Sequence, residues 1–274
     1  MDGSFFPERD VQDQRVSYVE FRQRCSADFH RLHISKTAIL RIRSGSKTVR
    51  TISGLETTVA QGEFVYLRRG ENLTIGNIIG DTGFYYSEGL FIDDAVISEF
   101  LSVHPNRRHT SDVRKGDMSA AFDDAFTRVV DGLVDQTLPG AFLDHRTHEL
   151  LLWLQMSGAT HHLHTCNDLS DRLRNLLEND LERHWKAPDV AHELGMSEAT
   201  LRRALNKENT SFTTQLREAR LSYALMRIQT TNRPLAEIAY ECGFSSQSRL
   251  SEAFKSRFDL TPGKIRSSTI EMSE

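Results

Sequence analysis

The chain has 274 residues, a length that suits two ordinary domains, each able to bury its own core. Charged residues at 26% and hydrophobic residues at 38% describe a globular protein, and no window approaches the apolar length of a bilayer span, which points away from a membrane protein. A net charge of −4 argues at first against a nucleic-acid partner, yet residues 199–266 hold twelve Lys or Arg against six acids, so a basic region sits inside an acidic chain.

In chain order, residues 1–10 mix Phe5 and Phe6 with Asp2, Glu8 and Arg9, which lacks the pattern of a secretory leader and leads us to expect a cytoplasmic protein. Cys25, Cys166 and Cys242 are widely spaced, as structural thiols in a reducing compartment would be. Short β segments at 39–43, 48–52, 63–67 and 73–75 alternate with Gly45, Gly54, Gly62, Gly70, Gly76 and Gly80, a turn rhythm that predicts an all-β unit of barrel or sandwich type. Helical periodicity then appears over 118–134 and 145–156. The second stretch carries Leu150, Leu151, Trp153 and Leu154, too apolar for a lone surface helix; it either dimerises or packs on its own barrel.

The polar residues 157–171 separate this region from the next, and the division expected is a regulatory and dimerisation domain over 1–160, a linker over 161–168 and a second domain over 169–268. His161, His162, His164 and Cys166 cluster in the linker without a second ligand pair, so no metal site is expected. From residue 169 onward the period is helical, predicting helices over 169–179, 187–194, 198–208, 212–229, 235–242, 247–258 and 262–266. Gly195 and Gly243 supply stops, Ser197, Ser211 and Thr261 supply N-caps, and Pro188, Pro234 and Pro262 fall near helix starts.

Two of these helix pairs repeat one another. Residues 187–205 have Ala191 where two helices must approach, Gly195 at the turn, and Val190, Leu194, Leu201 and Leu205 as an apolar seam. Residues 235–254 repeat the pattern with Ala239 and Gly243. The helix between them has the length to set two readers into successive major grooves. On the first reader, Ser197, Thr200, Arg202 and Arg203 are the candidate DNA contacts, with Arg202 suited to a guanine edge; the alternative for Arg203 is an ion pair with Glu198 or Glu208. On the second, the candidates are Gln247, Ser248, Arg249 and Ser251, with Lys255 toward the backbone.

Ile238-Ala239, Gly243-Phe244, Ser246, Ser248, Phe254-Lys255, Phe258 and Thr261-Pro262, following Gly195-Met196-Ser197, closely resemble the C-terminal signature of the AraC/XylS transcription regulators. Residues 169–181 and 208–212 are similar to its enteric branch of virulence and acid-resistance activators, and 62–70 to that group's cupin-like barrel. The resemblance implies an α+β two-domain protein, with an N-terminal cupin-like β barrel with helices and a C-terminal all-α domain with two helix-turn-helix units. It further implies binding to double-stranded DNA and activation through RNA polymerase. Two routes of control stay open: a fatty-acid-like carboxylate in the barrel, with Lys36 and Arg233 as candidate partners, or a regulatory protein on the N-terminal domain. The signature's common aromatic and Phe are replaced here by Arg249 and Leu250. No catalytic motif is present and the barrel region lacks an open three-ligand site, so neither enzyme activity nor a cofactor is expected.

Overall fold

The computed structural model describes residues 15–105, 113–134, 138–159, 161 and 169–268. The chain is α+β with two domains, and the cupin-like unit is built from two facing antiparallel sheets. One holds β1 (Val16–Gln23), β8 (Tyr85–Ile92), β3 (Thr37–Ser44), β6 (Glu63–Leu67) and β9 (Val113–Asp117), in that order. The other holds β2 (Ala27–His33), β7 (Asn72–Ile78), β4 (Ser46–Arg50) and β5 (Glu56–Ala60). Helices α1 (Asp94–Val103), α2 (Ala120–Val134) and α3 (Gly140–Met156) cover the outer face of the first sheet.

Strand β3 explains this layering. Its two-residue period sends Ala38, Leu40 and Ile42 between the sheets, where they meet Val49, Val59, Leu73 and Ile75, and sends Ile39 to the helices. A strand covered on both faces reads as a nearly continuous apolar run, and the stretch Ala38–Ile42 of β3 does so except for Arg41. That guanidinium is buried between Glu88 at 2.7 Å, Asp123 at 2.7 Å and Thr127 at 2.9 Å, so it ties the sheet to α2. The strands absent from the sequence reading (β1, β2, β5, β8 and β9) carry polar residues on one face or are interrupted by glycine. Gly89 in β8 is one example: a Cβ there would strike the Leu40 side chain.

Helix α3 begins at Gly140, earlier than its periodicity suggested, with Pro139 at its N-cap. Leu150, Leu151 and Leu154 are fully buried in their own domain against residues such as Phe100 and Phe126. They are therefore not an exposed dimerisation stripe; of the four residues named for that role only Trp153 is half-exposed. His161, placed in the linker by sequence, is also inside this domain, with Nδ1 3.1 Å from the Tyr66 hydroxyl and Nε2 2.9 Å from the Leu151 carbonyl. The rest of that tract, including His162, His164 and Cys166, lies outside the described residues. Among the described residues no group of three His, Cys, Asp or Glu is placed to hold a metal, and no helix is long and apolar enough to cross a membrane.

The second domain is seven helices: α4 (Leu169–Glu178), α5 (Ala187–Glu193), α6 (Glu198–Lys207), α7 (Phe212–Thr230), α8 (Leu235–Glu241), α9 (Gln247–Phe258) and α10 (Pro262–Ser268). Two cores divide it. One joins Leu173, Leu177, Trp185, Val190, Leu194, Leu201 and Leu205 around α5 and α6. The other joins Leu221, Ala224, Ile228, Ile238, Leu250, Phe254 and Phe258 around α7, α8 and α9, and it takes in Ala27 and Phe29 from β2 of the first domain.

Candidate nucleic-acid interface

The two helix-turn-helix units are made by the same local chemistry. In each, the first helix ends at a glycine with φ of +70°, Gly195 or Gly243, a conformation that costs other residues steric strain. The following amides then turn back: Gly195 N–H donates to the His192 carbonyl and Met196 N–H to Ala191, while Gly243 donates to Tyr240 and Phe244 to Ala239. Ala191 and Ala239 are buried at the crossing, where a larger side chain would push the helices apart. A serine hydroxyl then caps each reading helix, accepting from the amide three residues on: Ser197 from Thr200 at 3.2 Å and Ser246 from Arg249 at 3.3 Å.

The sequence reading aligned Gly243 with Gly195 and named no cap for the second unit; the structure supplies Ser246. The turn from Gly243 to Ser246 is one residue longer than that from Gly195 to Ser197. Counting from the caps, the buried Leu201 corresponds to Leu250 and Leu205 to Phe254. Arg202 then corresponds to Ser251, Arg203 to Glu252, and Thr200 to Arg249. The two readers thus carry their cations at different turns of the helix. Leu250 occupies a core position at 0% exposure, whereas Arg249 is a surface residue.

The candidate contacts fall into three groups. Arg202, Gln247, Ser248 and Lys255 are exposed, and Arg202 and Lys255 have no ion-pair partner among the described residues. Arg203 and Arg249 are exposed but engaged locally. The Arg203 guanidinium reaches back to the Ala199 carbonyl at 3.3 Å instead of pairing with Glu198 or Glu208, and Arg249 lies 3.6 Å from Glu252. Ser197 and Thr200 are joined hydroxyl to hydroxyl at 2.9 Å within the cap, and Ser251 is half-buried. Helix α7 holds the readers apart; its 19 residues span about 28 Å at roughly 1.5 Å per residue.

The proposed effector contacts are placed differently. Lys36 lies 3.9 Å from Asp93 at the N-cap of α1, and Arg233 pairs with Glu241 and, at 3.4 Å, with Glu237 on α8. Each is thus paired with an acid of its own domain. Between the sheets, Lys47 is completely buried; its ammonium donates to Asn77 Oδ1 at 2.6 Å, and Asn77 Nδ2 donates to Gln23 at 2.8 Å. Burial without a facing carboxylate pushes the Lys47 ammonium down to about 7.

Comparison with known proteins bears on both domains. A family model described as a helix-turn-helix domain matches residues 190–268, and one described as the ExsA N-terminal regulatory domain matches residues 37–165. Both matches agree with the helix-turn-helix repeat at one end of the chain and the two-sheet unit at the other. Among similar curated proteins, the transcriptional activator PerA of Escherichia coli O127:H6 is 34% identical over 94 residues, 34% of each chain. The dual transcriptional regulator Rns of Escherichia coli is 34% identical over 93 residues, 34% of this chain and 35% of Rns. The match therefore spans about a third of the length of these curated relatives. The likeness of fold extends further: an apo structure of a ToxT variant from Vibrio cholerae superposes with a TM-score of 0.68 at 17% identity, covering 93% of this chain and 97% of ToxT. A ToxT structure described as bound to unsaturated fatty acid gives 0.66 at 18% identity, covering 94% and 96%.

Proposed function

We propose that this chain is an AraC/XylS-type, sequence-specific, cytoplasmic DNA-binding transcription regulator that reads two successive major grooves and activates transcription beside RNA polymerase. The observation that carries the reading is the repeated unit: two capped helices with exposed polar and cationic faces, mounted at the ends of one helix whose length approaches the ~34 Å turn of DNA. Arg202 supplies a fork suited to guanine O6 and N7, Gln247 an amide suited to adenine, and Lys255 a phosphate contact. No step of this reading requires catalysis or a cofactor.

The test is selection of duplexes from a random pool by the purified full-length protein. Enrichment of two short motifs about one helical turn apart supports tandem reading. Enrichment of one motif with no partner removes the two-groove claim, and failure to enrich any sequence removes sequence-specific binding. Transcription from an enriched site by purified polymerase, with and without the protein, then tests activation.

Control of the readers runs through the first domain, because β2 is part of the second reader's core. Two effectors fit the family. A fatty-acid-like carboxylate is supported by what the ToxT structure is described as binding. A regulatory protein on the first domain is favoured by the close-packed interior between the sheets and by Lys36 and Arg233 being paired with acids of their own domains. Mass spectrometry of organic extracts of the purified protein separates them: a stoichiometric lipid supports the first, and extracts free of lipid support the second. A homodimer is compatible with either, and sedimentation of the purified chain measures it.

A further inference from the structure

The two glycines that end the first helix of each unit share a φ of +70° but not their surroundings. A Cβ placed on Gly195 would meet nothing within 4 Å. A Cβ placed on Gly243 would overlap both the backbone carbonyl oxygen of Leu181 and the guanidinium of Arg220. Leu181 belongs to the connection between α4 and α5, and Arg220 to the middle of α7. The turn of the second unit therefore rests directly on a loop of the first, with a cation from the strut at the junction.

That loop is tied firmly to the first reader. Trp185 is part of the core that holds Val190, Leu201 and Leu205, and its indole N–H donates to the Asp180 carbonyl at 2.7 Å. Arg183 stacks over Trp185 with 3.9 Å from its guanidinium carbon to the ring centroid, and it lies 3.5 Å from Glu193 on α5. Arg220 completes the connection: its Nε donates to the Leu181 carbonyl at 3.2 Å and one Nη to the Arg183 carbonyl at 3.0 Å. A guanidinium is suited to this because one rigid fork can hold two backbone oxygens at a fixed separation, whereas an ammonium is a point donor.

We propose that Arg220 is a positioning residue for bipartite DNA recognition: by clamping the 181–183 carbonyls of the first unit beneath the Gly243 turn of the second, it fixes the relative placement of α6 and α9 and so the half-site spacing the protein accepts. This rests on the DNA-reading function proposed above and adds to it a determinant that need not touch DNA. Helix α7 alone sets the distance between the units; the clamp removes their freedom to twist about it. Placement matters because recognition helices that are rotated or translated relative to the duplex lose base contacts that depend on a fixed fork geometry.

The experiment is enrichment, from a pool in which the two motifs selected by the wild-type protein are separated by variable spacers, by full-length Arg220→Lys and Arg220→Met, together with circular-dichroism melts and affinities for each single motif. The proposal expects both variants to melt cooperatively, to bind single motifs within about twofold of wild type, and to enrich spacers one or two base pairs either side of the wild-type optimum, with Lys the milder. The preferred spacer should lose at least fivefold of its advantage over its neighbours. An unchanged spacer distribution in both variants would overturn it, as would parallel loss of folding and of all DNA binding, which would make Arg220 a stability residue only. If the wild-type protein selects no bipartite site, the failure belongs to the function proposed above, since the variants are then not reached.

Discussion

The two reading units share their caps, their turn glycines and the small residue at the helix crossing, yet they are held in the molecule in different ways. The first has a core of its own, drawn from α4, α5 and α6 with Trp185, and its Gly195 turn stands in open space. The second shares its core with the first domain through Ala27 and Phe29, and its Gly243 turn is pressed against Leu181 and Arg220. The same motif is therefore a largely self-sufficient reader at one end of α7 and a dependent one at the other. A signal received by the first domain has a direct mechanical route to α9. Its route to α6 runs through the α7 junction and polar contacts such as Arg69 with Asn175 on α4 at 2.5 Å.

The largest test of this asymmetry is Phe29→Ala. Phe29 is 1% exposed and meets the Phe258 ring edge-on at 6.0 Å between centroids, so its removal should cost about 3–5 kcal/mol. Because the loss falls between the domains, a denaturant titration should split into two transitions. Hydrogen exchange should rise in α9 and α10 while α6 stays protected. Equal loss of protection in α6 and α9 would end the idea that only the second reader leans on the first domain. Ala27 and Leu32 add apolar contact at that seam, and polar ties reinforce it. Arg257 donates to the carbonyls of His30 at 2.7 Å and Arg31 at 3.2 Å, where a bulge in β2 with Arg31 at φ +50° breaks the register with β7.

A matched pair of glycine substitutions measures the difference inside the repeat. Gly195→Ala should cost about 1 kcal/mol, the strain of a left-handed residue alone. Gly243→Ala adds a collision with backbone, which cannot move as a flexible side chain end would, and should cost about 3 kcal/mol. Urea midpoints of the two variants decide it, and equal losses would mean that the crowding at Gly243 relaxes without cost.

Lys47 offers the opposite sign. Its ammonium has a pKa near 7 in the folded protein against an ordinary 10.5, so between those values the unfolded chain binds a proton that the native chain does not. Stability should rise with pH across that window. Lys47→Met removes the cost of burial and should stabilise the first domain by about 2 kcal/mol at pH 7, with the advantage fading as pH approaches 10.5. If the second reader leans on that domain, protection in α9 should increase more than in α6. A variant that is less stable than wild type at pH 7 would show that the hydrogen bond to Asn77 outweighs desolvation.

What could be read from the sequence divides along the same lines. Local signals fixed the helical domain well: α9 begins and ends where the apolar spacing placed it, and Ser197, Ser211 and Thr261 each cap a helix. These features depend on neighbours three or four residues away. What stayed open or unseen had its deciding partner distant in sequence. Leu150, Leu151 and Leu154 read equally as an interface or as packed on their own domain until the elements that cover them are known, and the second reading holds. β2 alternates only over Ala27, Asp28, Phe29 and His30 before its bulge, and the helix that buries Phe29 lies more than 190 residues later in the chain. Arg220 carries no periodic or motif signal, since its partners are carbonyls, which every residue has. The repeat aligns Gly243 with Gly195 but does not align the caps, so the longer turn before Ser246, and with it the offset between the cations of the two readers, emerges only from the structure.

That offset gives the smallest and most specific effects. Arg202 sits on the fifth residue of α6, exposed and without an ion-pair partner among the described residues, while Arg249 sits on the third residue of α9 near Glu252. Arg202→Ala should lose about 1–3 kcal/mol at one base pair and relax specificity there alone. Lys255→Ala, by contrast, should weaken every duplex by less than about 1 kcal/mol at moderate salt and lower the steepness of the salt dependence by roughly one phosphate contact. Binding isotherms at several salt concentrations, on an enriched site and on single-base variants of it, distinguish the two. If Arg202→Ala weakens all sequences alike, the base-reading cation of this protein lies in the second unit. Arg249, displaced toward the N-terminal end of its helix, is then the residue to substitute next.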